Sequence, residues 1–303
     1  MSLSEEELKT LISLAKRVLW EEPEVRAKLQ QNKVNIIPSN FYSEVPSVEE
    51  IRNSFEYRTP DEPVYGKMFD PDFLRDFLAE LLAYSLEFNP PVEGDRDQPE
   101  GFFWANPAFS HLDAMAYYCM IRHFKPHSIL EIGSGFSTLV ADQAIKHNGF
   151  GQIVSIEPYP MAFLREIDSI TEIVEQKVQD IPVTELVKMV ETADMWFIDS
   201  THTVKIGSDC LYLYLKIMPE IVSRTVVHTH DVYLPQGMHQ DNALDKHIYW
   251  TEQYLLYAYL LDNPKAQIIF GSYYSHLYLP EFAQKLMHGR YMIKGGSLWY
   301  TLN

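Results

Sequence analysis

Ser128-Ile129-Leu130-Glu131-Ile132-Gly133-Ser134-Gly135-Phe136-Ser137-Thr138 is an apolar run that stops abruptly in two glycines and small hydroxyl residues, after which a helical pattern begins. That order predicts a strand, a tight turn and a helix N-terminus. Bare backbone at Gly133 and Gly135 lets a ligand approach the main chain, and the free amides of the following helix offer donors to polar or anionic groups. A nucleotide-like cofactor is the natural occupant. A second run, Gln152-Ile153-Val154-Ser155-Ile156-Glu157, ends in an acid 22 residues after Gly135. This is close to the roughly 20-residue offset at which an acidic side chain meets ribose hydroxyls in nucleotide-binding folds.

Working outward, strands are expected near 128–132, 152–156, 173–178, 195–198 and 224–228, separated by helical segments. Met195-Trp196-Phe197-Ile198 and Thr225-Val226-Val227 are apolar without alternation, which fits strands covered on both faces of a parallel sheet. The fold class is therefore α/β, a doubly wound Rossmann-like sheet. A helix is expected over Trp250–Leu260, followed by Ala266–Phe270 and Ser297–Thr301 as an antiparallel pair at one sheet edge, with no crossover helix between them. Before Pro107 the chain is different. Helical spacing over Glu5–Gln31 and Phe73–Phe88 is interrupted by Pro38, Pro46, Pro60 and Pro63 and closed by Asn89-Pro90-Pro91. We divide it into an N-terminal helical and irregular cap, 1–106, and a main domain, 107–303. The cap aromatics Phe41, Tyr42, Phe102, Phe103 and Trp104 read first as packing and second as a pocket wall.

The 303 residues carry 42 acids against 25 Lys plus Arg, a formal charge of −17. Such a balance argues against a nonspecific grip on nucleic acid or anionic lipid and against polyanionic substrates. Cys119 and Cys210 sit in apolar helical contexts without metal spacing, so both read as buried reduced thiols of a cytoplasmic protein. The N-terminus has no basic segment and apolar core of a secretory signal, and no apolar run approaches the ~18 residues that cross a bilayer. The surface of the helical cap is a candidate for a homodimer contact.

These residues resemble the class I S-adenosylmethionine-dependent methyltransferases. The resemblance covers roughly 107–303 and rests on Glu131-Ile-Gly-Ser-Gly-Phe-Ser-Thr, Ile156-Glu-Pro-Tyr-Pro, Ile198-Asp-Ser-Thr-His, His228-Thr-His-Asp231 and the late strand pair. A dinucleotide-binding dehydrogenase would carry a third glycine where this chain has Thr138, a departure that favours adenosylmethionine over NAD. The resemblance implies that Glu131 orients the methionine amino group through the loop and that Glu157 holds the ribose diol. Gln179 or Asp180 would contact adenine, with Gly133, Ser134, Gly135, Ser137 and Asp199 also around the cofactor. The group most similar in these phrases is bacterial and has no assigned acceptor.

Asp199 ends the fourth strand and opens Asp199-Ser-Thr-His202, and the fifth strand ends His228-Thr-His-Asp231. Ligands of parallel sheets bind beyond the carboxyl ends of strands, so these two clusters should stand side by side, with His228 and His230 on one face. One chemistry makes His202, His228 or His230 a general base, with Asp199 beside it. Another has Asp199, His230 and Asp231 ligate a divalent metal that activates the acceptor, as some O-methyltransferases do with carboxylate and amide oxygens; the histidine departs from that set. A third reading leaves His228 as a core histidine and the others as loop supports. Trp104, Asn106, Tyr233, Trp250, Glu252 and Gln253 are candidates for the substrate side. Ser134, Ser137 and Ser200 lack a nucleophile elbow. The expected activity is methylation of a small-molecule or sugar-like hydroxyl or amine. The alternatives are a metal-dependent hydrolase or oxygenase on the same scaffold, or a noncatalytic cofactor-binding module.

Overall fold

In the computed structural model, residues 3–59 and 62–302 are described, and the chain divides into two compact units, one running to Phe55 and one starting at Glu56. The first unit holds α1 (Glu5–Val18), α2 (Pro23–Gln31) and α3 (Val48–Asn53). Ser4 and Ser47 begin α1 and α3 with reciprocal capping boxes to Glu7 and Glu50, which satisfy amides that have no partner inside the helix.

The second unit begins with α4 (Pro71–Ser85) and α5 (His111–Phe124) and continues β1 (Ser128–Ile132), α6 (Phe136–Asn148), β2 (Gln152–Ile156), β3 (Ile170–Val174), α7 (Val183–Glu191) and β4 (Met195–Ile198). It then runs α8 (Asp209–Tyr212), β5 (Thr225–Thr229), α9 (Gln240–Asp245), α10 (Glu252–Leu260), β6 (Ala266–Gly271), α11 (Ser272–Tyr278), α12 (Pro280–Met287) and β7 (Leu298–Leu302). The strands form a seven-stranded sheet in the order β3-β2-β1-β4-β5-β7-β6. Only β7 runs against the rest, pairing antiparallel with β5 and β6. The order reverses between β1 and β4, where Ile132 lies beside Ile198, so the carboxyl ends of the central strands open onto one crevice. This is the doubly wound, mostly parallel sheet expected from the apolar runs.

Three expectations are corrected. The third strand is Ile170–Val174 rather than 173–178, because it pairs with β2 from Ile170 to Val174 and the chain then turns through a short 3-10 segment, Val178–Asp180. It is an edge strand, exposed at Thr171 and Glu172, so its apolar signal is diluted. Two helices, α11 and α12, separated at Leu279-Pro280, lie between β6 and β7, although the two strands pair antiparallel as expected. Residues 56–106 belong with the sheet rather than with a separate cap. Leu74, Leu78 and Leu81 of α4, with Phe88, Phe102, Phe103 and Trp104, are buried in one apolar core with α5 and the central strands.

Trp196 and Phe197 of β4, Tyr117 of α5 and Trp299 of β7 are among the largest fully buried side chains. Cys119 and Cys210 are free and buried. Among the described residues no helix is long and apolar enough to cross a membrane.

At the crevice the backbone leaves no space. Gly133 has φ +83°, and a Cβ there would lie 1.9 Å from the Asp199 carbonyl oxygen. Gly133 N donates to Ile156 O at 3.0 Å and Asp199 N to Ile132 O at 2.8 Å, tying together the ends of β1, β2 and β4. Replacing Gly133 by Ala should therefore cost about 3 kcal/mol or more, because strain from the positive φ adds to a backbone clash. Denaturant unfolding reads this as a lower midpoint at unchanged slope, and a wild-type midpoint would contradict the close approach.

Candidate active site

The glycine turn is held from beneath by Glu131, which is fully buried. Thr138 Oγ1 donates to Glu131 Oε2 at 2.6 Å and accepts from Gly135 N at 3.1 Å, while Tyr117 Oη donates to Glu131 Oε1 at 2.9 Å. Thr138 thus fills the place of a third glycine with a hydroxyl that bridges carboxylate and turn. Burial pushes the Glu131 carboxyl up to about 7, against the pull of the Thr138, Tyr117 and Ser134 hydroxyls. The two glycines have different tasks: Gly133 admits the backbone of β4, whereas a Cβ at Gly135 would meet nothing within 4 Å. Gly135 thus has open space beside it, while Gly133 is packed against the Asp199 backbone.

Glu157 stands just past β2. Its Oε2 accepts from Ser134 N at 3.3 Å and its Oε1 from Tyr159 N at 2.8 Å, and Ser155 Oγ donates to Ser134 Oγ at 2.7 Å. Glu157, Gly133, Gln179 and Asp199 line a cavity of about 460 Å³, a size suited to a nucleoside-like ligand. Gln179 is in that wall; Asp180, one residue on, is not among the lining residues, and neither are Ser134, Gly135 and Ser137. Ser137 is buried on the first turn of α6. Asp209, which the sequence did not single out, also lines the cavity and fixes the loop after β4, accepting from Thr201 N at 3.0 Å and Thr201 Oγ1 at 2.7 Å.

Beside Asp199 a polar cluster closes the crevice. His202 Nδ1 lies 2.8 Å from Glu252 Oε2, and its Nε2 lies 3.2 Å from Asp199 Oδ1 and 3.4 Å from Asp231 Oδ2. Tyr214 Oη donates to the other oxygen of Glu252 at 2.7 Å. Burial opposes a charge on His202, yet Asp199 and Glu252 outweigh it and lift the ring to about 10. His230 Nε2 faces Asp113 Oδ2 at 3.5 Å; its Nδ1 lies 3.5 Å from Asp199 Oδ2 and 3.8 Å from Asp231 Oδ2. At those separations Nδ1 is buried without a hydrogen-bond partner. Burial works against the His230 cation too, and the Asp199 and Asp231 charges hold it well above the usual range. Burial would raise Asp199; the His230 and His202 charges and donors hold it well below the usual carboxylate range instead. His202 and Asp231 both have left-handed backbones, φ +57° and +55°, strain of a kind that concentrates at functional sites.

The two strand-end clusters do stand side by side, and they bring together two imidazoles, His202 and His230, and four carboxylates, Asp113, Asp199, Asp231 and Glu252. His228 does lie on the same face as His230, but it is a core residue packed on Phe197 at 4.3 Å and hydrogen-bonded to Ser297 at 2.7 Å. Burial, then the neighbouring His230 charge, keeps it well below its usual pKa. Asp113, on the first turn of α5, was missed. Its carboxylate accepts from Gly296 N at 3.0 and 3.1 Å and faces His230. Both ring nitrogens of His202 face carboxylates, Nδ1 towards Glu252 and Nε2 towards Asp199 and Asp231, so the ring ties three acids of the cluster together.

Asp113, His230 and Asp231 line a second cavity, of about 570 Å³. Tyr233 and Trp250 are in its wall; Tyr233 Oη donates to Asp231 Oδ1 at 3.2 Å and Trp250 lies 4.7 Å from the His202 ring. The other substrate-side candidates serve the frame. Trp104 is buried against Phe88 and Tyr291, Asn106 fastens its own loop, and Gln253 accepts from Tyr233 N.

A family model described as a methyltransferase domain matches residues 130–232, the stretch from β1 through the loop after β5. An uncharacterised protein of Archaeoglobus fulgidus is 33% identical over 156 residues, covering 48% of this chain and 70% of the relative. Among solved structures, the O-methyltransferase TomG of Streptomyces achromogenes, determined with S-adenosylmethionine, is 12% identical with a TM-score of 0.39, covering 78% of this chain and 92% of that one. An O-methyltransferase of Bacillus cereus, determined with S-adenosylhomocysteine, is 12% identical with a TM-score of 0.35, covering 78% and 94%. Likeness this distant leaves acceptor and mechanism to this chain's own residues.

The buried Glu131 gives stability a definite slope. Its native pKa of about 7 exceeds the ordinary 4.5, so the folded state holds this proton more tightly than the unfolded chain. The associated stability is complete below about 4.5 and is lost as pH rises through about 7. Wild type should lose stability relative to Glu131→Gln between pH 5 and 8 in denaturant titrations; a gap that stays constant or moves the other way would refute the assignment.

Proposed function

The chain belongs to the class I S-adenosylmethionine-dependent methyltransferases, and on that premise we propose that it methylates a hydroxyl or amine of a small-molecule or sugar-like acceptor. One observation carries this reading. Asp199 lines the nucleoside-sized cavity, and its carboxylate reaches His202 and His230, of which His230 lines the second cavity. The two cavities therefore adjoin at the Asp199 side chain, and donor and acceptor would meet beside it, where direct in-line approach is open to them.

In this reading Glu157 takes the ribose hydroxyls with the lone pairs left over from Ser134 and Tyr159, and Gln179 reads the adenine edge in place of Asp180. Glu131 acts through the turn it supports, with Ser134, Gly135 and Ser137 shaping the approach to the methionine moiety. Four carboxylates against two imidazolium rings leave the cluster negative, which favours a sulfonium. The methyl carbon passes from sulfur to the acceptor oxygen or nitrogen, the electrons of the broken bond stay on sulfur, and S-adenosylhomocysteine leaves. The acceptor proton goes to Asp231, which with Asp113 lines the second cavity and, unlike Asp113, takes no backbone amide hydrogen bond from Gly296.

Asp199, His230 and Asp231 also fit a divalent cation. Each offers one ligand atom, all within 4.8 Å of one another, and the unpartnered His230 Nδ1 is a nitrogen donor among oxygens, a mixed set suited to a borderline metal. Such an ion would lower the pKa of an acceptor hydroxyl.

Calorimetry with S-adenosylhomocysteine tests the reading. Wild type should bind, Glu157→Ala should weaken binding about tenfold or more, and Asp231→Asn should bind normally yet fail to turn over. No binding by wild type removes the proposal. For the metal, chelation followed by titration with Mn²⁺ or Zn²⁺ should show one site per chain in wild type and none in His230→Ala; equal uptake by both proteins would exclude this site.

A further inference from the structure

The second cavity holds positive charge that nothing in the cluster uses. Lys294 and Lys246 are in its wall, with His111, His239 and His276, in a chain of formal charge −17. Among the described residues no carboxylate pairs with either lysine; Lys246 Nζ contacts only the amide oxygen of Asn242, at 3.0 Å. The acids of the cavity are already engaged, Asp113 by Gly296 N and His230, and Asp231 by Tyr233, His202 and His230. The backbone that carries Lys294 is held in place: its carbonyl accepts from Leu112 N at 2.9 Å, and a Cβ on the next residue, Gly295, would lie 2.5 Å from Asp113 Oδ1. His111, packed on the Tyr291 ring at 5.2 Å, is kept at φ +60°. Burial lowers the pKa of His111, His239 and His276, and the Lys294 charge adds to it; Asp113 and Asp241 oppose this at His111 and His239. The rings are therefore neutral neighbours, and the positive charge in the wall is that of the lysines.

Lys294 is exposed at the mouth of the cavity, and a neutral ligand there would displace some water from its ammonium without supplying a counter-charge, at a modest cost. An oxyanion would remove that cost. Tyr233 and Tyr273, edge to face at 5.6 Å, give the same cavity flat apolar surface. We propose that the acceptor is an alcohol or phenol bearing a single oxyanion, a carboxylate or a phosphate, which Lys294 binds while the hydroxyl faces His230 and Asp231. The inference rests on the transferase reading for its hydroxyl end only.

The test is calorimetry on the full chain at pH 7, with and without S-adenosylhomocysteine, using 3-hydroxybenzoate, 3-hydroxyphenyl phosphate and the neutral 3-hydroxybenzamide as probes. At least one anion should bind about tenfold or more tightly than the amide, and whichever does so identifies carboxylate or phosphate as the source. Lys294→Met should erase that preference with S-adenosylhomocysteine affinity unchanged, and Lys294→Arg should keep it. Equal affinity for amide and anions, no binding of any probe, or a preference that survives Lys294→Met would overturn the proposal. An anion preference without S-adenosylhomocysteine binding would sink the transferase reading and leave the oxyanion site standing; the reverse result would sink the oxyanion site alone.

Discussion

The Asp199 carbonyl occupies the place where a side chain at Gly133 would have to be. That contact joins the ends of β1 and β4 at the point where strand order reverses, and both cavities take their positions from it. Because Gly133 folds against β4, the turn beyond it faces Glu157; because β4 ends there, the Asp199 carboxylate projects between Glu157 and the histidines. Thr138 and Tyr117 then hold the turn through Glu131, so its shape is set by buried hydrogen bonds before any ligand arrives.

Past that turn, electrostatics take over. Asp113, Asp199, Asp231 and Glu252 surround two rings, and burial raises the cost of each charge while close opposite charges offset it. His202 is flanked at both nitrogens and can fix the directions of Asp199, Asp231 and Glu252. His230 keeps one nitrogen without a hydrogen bond, which makes it the adaptable member of the group.

Much of this was legible in the letters. The ends of β1, β2 and β4 fell where the apolar runs stop, since central strands covered on both faces carry an unbroken signal. Asp199, His230 and Asp231 came together because carboxyl ends of neighbouring parallel strands must. The edge strand β3 was misplaced for the converse reason: none of its five residues is fully buried and two are exposed. Asp113 could not be read, because its role depends on α5 packing beneath β5, a contact that leaves no local mark. Lys294 was equally silent, since a lysine before two glycines reads as an exposed turn. Glu252 was noticed as a candidate for the substrate, although its partners are His202 and Tyr214.

Tyr117 and Asp113 are four residues apart on α5, one turn of the same rigid rod. The first holds the carboxylate under the glycine turn and the second faces the imidazole at the other cavity. A small slide or rotation of that rod is therefore felt at both ends together. Whatever settles into one chamber and nudges the helix alters the welcome given in the other, and by thermodynamic reciprocity the influence is equal in both directions.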